Sequence, residues 1–328
     1  MIISQTPFRI SFLGGGTDFP AHYQEHSGAV LLTTINQSAY LSVHRLSPFF
    51  PHKFRASYAR TESVQTPGEF QHPLIRECLL HLQVRDPLEM AHVSDLPGRT
   101  GLGTSSAFTV GLLHALHALQ GNTVQAATLA HEAISVERER VGDSGGHQDQ
   151  YAAAYGGFLR IDFSGNQQAR VQPVTLSAER RNHLAAHLLL FYLGHERSAE
   201  SIMRTQQQRT ARNVSVLREM KSLVDEAQAV LLSNRALDDF GALLHTSWML
   251  KKSLAPGISN ADIDNAYDSA CRAGAVGGKI LGAGGRGFML LYAAPEHHGA
   301  IATALDPLAA VPFRFSDQGS RIIFNNTE

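Results

Sequence analysis

Residues 101–106, Gly-Leu-Gly-Thr-Ser-Ser, run straight into an apolar stretch with helical spacing. Two further glycine clusters stand on either side of them: Gly14-Gly15-Gly16-Thr17-Asp18 and Gly282-Ala283-Gly284-Gly285-Arg286-Gly287. Glycine in ordered structure costs roughly 0.5–1 kcal/mol relative to alanine, so three clusters call for a compensating interaction. One ligand approached closely by several backbones would supply it. In the middle cluster, converging amides at a helix start offer an anion site, reinforced by the positive end of the helix dipole. Gly101, Leu102, Gly103, Thr104, Ser105 and Ser106 are therefore candidate phosphate ligands. A capped helix after a tight turn explains the same letters, and Ser105 or Ser106 could cap the helix or ligate magnesium.

Two acids extend the constellation. Asp149 lies in the glycine-flanked segment "VGDSGGHQDQYAAAYGG" (141–157), either as a helix cap or as a base beside a substrate hydroxyl. Glu137 sits near the end of an amphipathic helix, where the dipole disfavours a carboxylate unless a cation is close. A solvated "ERER" terminus is the alternative. Three other patterns fail as motifs. Around Lys279 the P-loop spacing puts Ala273 at the first glycine position and Ile280 after the lysine. "GAGGRG" (282–287) matches GxGxxG by letters but leads into the strand-like run Phe288–Tyr292, whereas the dinucleotide fingerprint opens a helix. His22–His26 fits HxxEH, yet no third ligand is evident and the chain holds 17 histidines.

The elements that must position these residues read as a mixture of strands and helices. Residues 9–13, 29–34 and 40–44 read as strands. Residues 107–119 place Phe108, Leu112, Leu116 and Leu119 on one helical face behind a Ser/Thr cap. A helix over about 124–140 turns Leu129, Ala133, Ile134 and Val136 inward. "GGFLRIDF" and "LLLFYL" (188–193) read as strands. A helical region follows over about 198–252, with a break near Ser233–Asn234. Helices near 260–273 and 296–305 and a hairpin in "FRFSDQGSRIIF" close the chain. The class is α+β, with a first domain over 1–160 and a second over 161–328.

Bulk properties narrow the function. The 328 residues are 43% hydrophobic and 17% charged, an ordinary globular composition. A net charge of −1 gives no basic footprint for nucleic acid or an anionic membrane, so a phosphate ligand must be held locally. No run approaches the ~20 apolar residues of a membrane span, and the N-terminus lacks a signal-peptide pattern. A cytoplasmic protein is expected. Cys78 and Cys271 read as buried free thiols.

Taken in order, "PFRISFLGGGTD" (7–18), "GLGTSSA" (101–107) and "KILGAGGRG" (279–287) resemble the three motifs of the GHMP kinases. That superfamily is named for galactokinase, homoserine kinase, mevalonate kinase and phosphomevalonate kinase. "GGGTD", "GHQDQYAAAYGG" and "SWMLKKSL…GISNADID" resemble its D-glycero-D-manno-heptose 7-phosphate kinases, which phosphorylate the anomeric hydroxyl in nucleotide-activated heptose biosynthesis. Galactokinases usually carry Glu-His where this chain has Gly15 and Gly16.

The resemblance implies a two-domain α+β fold, with a left-handed βαβ unit in the N-terminal half and a ferredoxin-like C-terminal half. It implies ATP and Mg²⁺, a sugar phosphate substrate, and room for a homodimer. It casts Asp149 as the catalytic base and Arg9 as the arginine that holds it. Asp18, with Thr17, Gly16, Gly146, His147 and Gln148, would bind the sugar. Ser105 and Glu137 would hold the metal, and Gly282, Gly284 and Gly285 carry the third motif. Thr104 stands where serine is usual, and Arg286 where glycine is usual, adding bulk and charge near the site. Arg197, Arg204, Lys251 and Lys252 are candidates for a distal phosphate, each equally readable as an exposed helix charge. The alternatives are another sugar, such as fucose or galactose, or a sensor that binds sugar and nucleotide without turnover. Retention of Asp149, Arg9, Ser105 and Glu137 argues against the sensor.

Overall fold

A computed structural model describes residues 1–98, 100–165, 169–194 and 199–326. The chain opens with β1 (Ile2–Leu13), α1 (Pro20–His26), β2 (Gly28–Arg45), β3 (Phe54–Ser57) and β4 (Thr61–Val64). Next come α2 (Pro73–His81), β5 (Leu88–Ser94), α3 (Thr104–Leu119), α4 (Ala126–Ile134), α5 (Gln148–Tyr155), β6 (Phe158–Phe163) and β7 (Arg170–Pro173). They are followed by α6 (Ala178–Ala186), β8 (Leu188–Tyr192), α7 (Ala199–Gln208), α8 (Val214–Leu232), α9 (Asp238–Leu254) and α10 (Ala261–Arg272). The chain ends with β9 (Gly277–Ile280), β10 (Phe288–Tyr292), α11 (His298–Ala304), β11 (Ala309–Ala310), β12 (Phe315–Ser316) and β13 (Arg321–Asn325).

Two sheets organise these elements. The larger runs β13-β1-β2-β5-β3-β4, with β6 and β12 also on β2 and β7 on β6. The smaller runs β11-β8-β10-β9, antiparallel throughout. β3 and β5 are parallel and joined through β4 and α2, which supplies a βαβ crossover in the N-terminal half. β6 and β7 pair within the larger sheet, and β12 and β13 return to it from the far end of the chain. The division at residue 160 stays a proposal beside that arrangement.

β2 departs from expectation by being one strand where the sequence suggests two. Its first part pairs with β6 and its second with β5, while β1 runs along both. The polar residues between the two apolar stretches are all engaged. Asn36 N–H donates to the Arg314 carbonyl (2.9 Å), and Gln37 Nε2 to Pro312 O (2.7 Å). Ser38 N–H donates to Asp95 Oδ2 (2.8 Å). Such partners leave no local signal.

Three further expectations need correction. β12 pairs with β2 and β13 with β1, so the closing segment is not a hairpin. The 124–140 helix is α-helical only to Ile134 and continues as a π-helical turn over Ser135–Arg140. The region after 198 breaks at 209–213 as well as near Ser233. Competition from tertiary contacts decides each case, because propensity is only a weak prior.

α3 is buried around most of its circumference, as an almost wholly apolar helix must be. Gly111 lets it approach the sheet: a Cβ there would lie 2.8 Å from Thr6 Oγ1, and Ser4 Oγ donates to the Gly111 carbonyl (2.7 Å). This contact aims the N-terminus of α3 at the end of β1 that carries Arg9. A second apolar cluster, including Trp248, Tyr267, Ile280 and Met289, packs α9 and α10 on the smaller sheet. It brings the third glycine loop to the same place. No helix among the described residues is long and apolar enough to cross a membrane.

Candidate active site

β1 supplies Arg9, which is 4% exposed, and α5 supplies Asp149 in its first turn. The two meet side-on: Arg9 Nε donates to Asp149 Oδ1 (2.7 Å) and Nη2 to Oδ2 (2.8 Å). Bidentate guanidinium–carboxylate pairs are among the strongest and most directional of ionic contacts. Arg9 also ties the pair to the middle glycine loop, donating through Nη1 to Gly101 O (2.5 Å) and through its backbone N–H to Leu102 O (3.0 Å). Each Asp149 oxygen keeps a lone pair for a further donor.

The glycines of this loop are required by contact. Gly101 and Gly103 have φ of +84° and +72°. A Cβ on Gly103 would lie 3.2 Å from Arg9 Cγ and 3.6 Å from Asp149 Cγ. Gly103 itself is the N-cap of α3, with no side-chain cap, which corrects the expected Ser/Thr cap. The first internal bond runs from Ala107 N–H to the Gly103 carbonyl (2.9 Å), so the amides of Ser105 and Ser106 precede the helical ladder. Gly282 packs backbone to backbone on this loop, since its Cβ would lie 2.4 Å from Gly101 Cα. Gly284 and Gly285 instead close on Ile258; the Gly285 N–H donates to its carbonyl (2.9 Å). The Arg286 side chain is 49% exposed and reaches toward Asp262 at 3.5 Å, at the surface.

Asp18 is buried and accepts the backbone N–H groups of Gly16 (2.8 Å) and Gln148 (3.2 Å). Burial raises its pKa, with Asp149 adding repulsion and the two amides opposing. Gly146 is the reason it fits, because a Cβ there would lie 1.9 Å from Asp18 Oδ2. Gln148 is held by Ser11, whose Oγ donates to its Oε1 (2.7 Å).

Two expected sugar contacts are not brought to this cleft. Thr17 Oγ1 lies 2.8 Å from Gly14 O and accepts the Ala29 N–H (3.0 Å), buried beneath the loop. His147 Nδ1 meets Tyr23 Oη at 2.9 Å, and burial, with Arg138 next, pushes the ring down to about 4. Both are supports for the loops and not lining residues.

The expected metal pair also shifts. Glu137 is 1% exposed, carried inward by the π-helical turn, so "ERER" is not a solvated terminus. Its Oε2 accepts from Ser106 Oγ (3.0 Å) and Gln150 Nε2 (2.7 Å), while Arg138 lies 3.6 Å away. Burial raises the Glu137 pKa against the pull of Arg138 and these hydrogen bonds. Ser105, one residue earlier on the helix, is exposed, so Ser106 is the serine in contact with Glu137. Glu137 Oε1 is buried without a hydrogen-bond partner.

One narrow cleft is lined by Arg9, Ser11, Gly15, Gly16, Asp18, Gln148, Asp149 and Gly282 together with Arg138, Gln206, Lys251 and Lys279. A roomier cavity of about 350 Å³, flanked by Arg181 and Asp317, is lined by neither Arg9, Asp18 nor Asp149 and by none of the three glycine clusters, and the chemistry therefore lies in the cleft. Among the distal-phosphate candidates within the described residues, only Lys251 reaches it. Arg204 pairs with Glu200 on the surface and Lys252 with Asp264. Arg197 lies outside the described residues. Lys279 and Arg138 were legible only indirectly: one is a lysine inside an apolar strand run, the other a neighbour of the acid in "ERER".

Comparison with known proteins fits this geometry. Residues 73–157 match the family profile "GHMP kinases N terminal domain". The D-glycero-alpha-D-manno-heptose 7-phosphate kinase of Campylobacter jejuni is 31% identical over 308 residues, covering 90% of each chain. The chain belongs to the GHMP kinases. A second relative of this GHMP kinase, the bifunctional fucokinase/GDP-fucose pyrophosphorylase of Arabidopsis thaliana, is 25% identical over 88% of the chain and 29% of its own length. Among solved structures, a D-glycero-D-manno-heptose 1-phosphate kinase from Bacteroides thetaiotaomicron superposes with a TM-score of 0.80 at 22% identity, covering 99% of this chain and 100% of that one. The Lactococcus lactis galactokinase gives 0.75 at 16% identity, over 98% and 94%. The two-domain α+β GHMP kinase fold and the phosphotransferase class with an alcohol acceptor follow.

Proposed function

We propose that this GHMP kinase transfers the γ-phosphoryl group of ATP to the anomeric hydroxyl of D-glycero-D-manno-heptose 7-phosphate, giving the 1,7-bisphosphate. The observation that carries the reading is the Arg9–Asp149 pair at the mouth of the glycine loop, in a chain with a heptose 7-phosphate kinase as a relative. The loop over residues 101–106 receives the phosphates. Asp18, Gly16, Gly146 and Gln148 orient the sugar. Asp149, its orientation set by Arg9, accepts the proton of the attacking hydroxyl.

Magnesium fits the residues present. A buried carboxylate with one unpartnered oxygen, bonded to Ser106 next to the exposed Ser105, suits a hard cation that takes its other ligands from phosphate and water. No cluster of three or more His, Cys, Asp or Glu competes among the described residues. Glu137 and these serines would hold the ion, which when bound neutralises phosphate charge. Glu137→Gln separates this role from a structural one. Because burial raises the Glu137 pKa, its charge opposes folding as pH rises through that raised value, so the neutral variant keeps or gains thermal stability near pH 7. Its kcat falls at least ~10-fold with the magnesium requirement shifted upward, as loss of a ligand demands. A normal kcat at unchanged magnesium dependence would remove Glu137 from the metal.

Substrate choice is tested by ATP consumption against a panel of sugars and their phosphates. Heptose 7-phosphate is expected to turn over best; turnover of the unphosphorylated heptose at an equal kcat/KM would sink the assignment. Binding of sugar without turnover of any acceptor would favour the sensor.

A further inference from the structure

Two buried lysines in the cleft have no place in the machinery above. Lys251 on α9 and Lys279 on β9 are 5% and 2% exposed, and neither forms an ion pair among the described residues, unlike Lys252. Lys279 Nζ donates to the Phe12 carbonyl (2.7 Å), and Lys251 Nζ to the Gly282 carbonyl. An ammonium has three donors, so each keeps protons for another acceptor. The carboxylates nearby are already engaged, Asp149 by Arg9 and Asp18 by two amides. Lys251 feels both carboxylates but touches neither; a buried cation with no anion in contact is costly, and at this site an incoming anion would supply that contact.

The anchor of Lys251 indicates which anion. Gly282 lies against Gly101 of the phosphate loop, and Arg9 bonds the Gly101 carbonyl while gripping Asp149. The ammonium therefore stands where the loop, the base and the third motif converge. A phosphate at the far end of a sugar lies several bonds from the attacking oxygen. The phosphate on the loop side is the one being transferred.

We propose that Lys251 is a catalytic residue of the phosphoryl transfer, its ammonium contacting the group in flight and balancing charge on its equatorial oxygens. The sugar oxygen forms the new bond to phosphorus, and its proton passes to Asp149. The bond to the bridging oxygen breaks with its electron pair leaving on the ADP β-phosphate. Lys251 keeps its proton throughout. Burial, with Arg9 next, pushes its pKa down to about 8, which leaves it charged at pH 7. Lys279, more deeply buried, is held by the Phe12 carbonyl, and burial, with Lys251 next, pushes its pKa well down.

This inference rests on the kinase reading, and Lys251→Met in the full chain tests it in two arms. In the first, kcat falls about 100-fold on heptose 7-phosphate and equally on whichever unphosphorylated sugar the wild type accepts, with each KM little changed. Lys251→Arg, which keeps the charge, recovers part of the rate, and the melting temperature of Lys251→Met does not fall. A loss confined to the KM of the phosphorylated sugar would make Lys251 a ligand of the substrate's own phosphate and overturn the proposal. The second arm needs no acceptor: calorimetry of ATP and ADP. The ATP-over-ADP affinity ratio drops at least ~5-fold in Lys251→Met while ADP binding holds, as loss of a charged contact to the γ-phosphate requires. An unchanged ratio overturns the proposal. If the wild type phosphorylates no acceptor, the kinase reading falls and with it the catalytic role, while this ratio still decides whether Lys251 contacts the γ-phosphate.

Discussion

Asp149→Asn lowers kcat at least ~100-fold while ATP affinity stays near the wild-type value, the scale expected for loss of a positioned general base. The structure sharpens what else should change. Both Asp149 oxygens are held by Arg9, and Arg9 is buried and bonded to the phosphate loop through Gly101 and Leu102. Asparagine keeps the shape but turns one acceptor into a donor facing a guanidinium. The buried arginine then lacks its full counter-charge, and stability falls by about 1–3 kcal/mol, below the cost of a fully buried pair because the Asp149 side chain is 22% exposed. Steady-state kinetics, nucleotide calorimetry and thermal melting separate the two effects. Near-normal turnover removes Asp149 from the role of base, whatever happens to stability.

Gly146→Ala is expected to cripple sugar recognition without replacing a charged residue. The added methyl would sit 1.9 Å from Asp18 Oδ2 and 2.2 Å from Asp18 Cγ, so the carboxylate must leave its place. It would then give up the amides of Gly16 and Gln148 that hold it in a buried setting. Loss of such a positioned, charged hydrogen-bonding group costs about 1.5–3 kcal/mol, or roughly 10–100-fold in kcat/KM for the sugar. ATP affinity is expected to hold, because the atoms nearest the added methyl all belong to Asp18 and none to the phosphate loop. Gly299→Ala serves as the control: nothing lies within 4 Å of a Cβ there, in α11, and alanine suits a helix. If Gly146→Ala retains a wild-type sugar KM, Asp18 is not a substrate ligand.

The reactive parts were legible where their chemistry sits in contiguous letters. A glycine loop entering a helix, a glycine-flanked acid and a third glycine loop each declare a local backbone shape, and their order carried the family. Arg9 and Asp149 are 140 residues apart, and only the resemblance joined them before the fold did. Other readings failed because they judged a residue by its neighbours in sequence. Ser105 and Ser106 are equivalent as letters; the pitch of α3 and the π-helical turn after α4 put Ser106 against Glu137. Thr17 and His147 belong to motifs, but Thr17 Oγ1 and His147 Nδ1 bond to the segments around them.

By itself, the sequence determined the α+β class, the phosphate loop, the acid beside it and the kinase family, because these depend on backbone conformations that a few adjacent residues dictate. Only the tertiary structure decided that β2 is one continuous strand, that the chain's end rejoins the first sheet as separate strands, and that Lys251 and Lys279 are buried in the cleft while Arg204 and Lys252 stay outside. Whether a lysine is a solvated surface charge or an unpaired cation in a catalytic cleft depends on what packs around it. Those neighbours arrive from distant parts of the chain, and no local pattern encodes them.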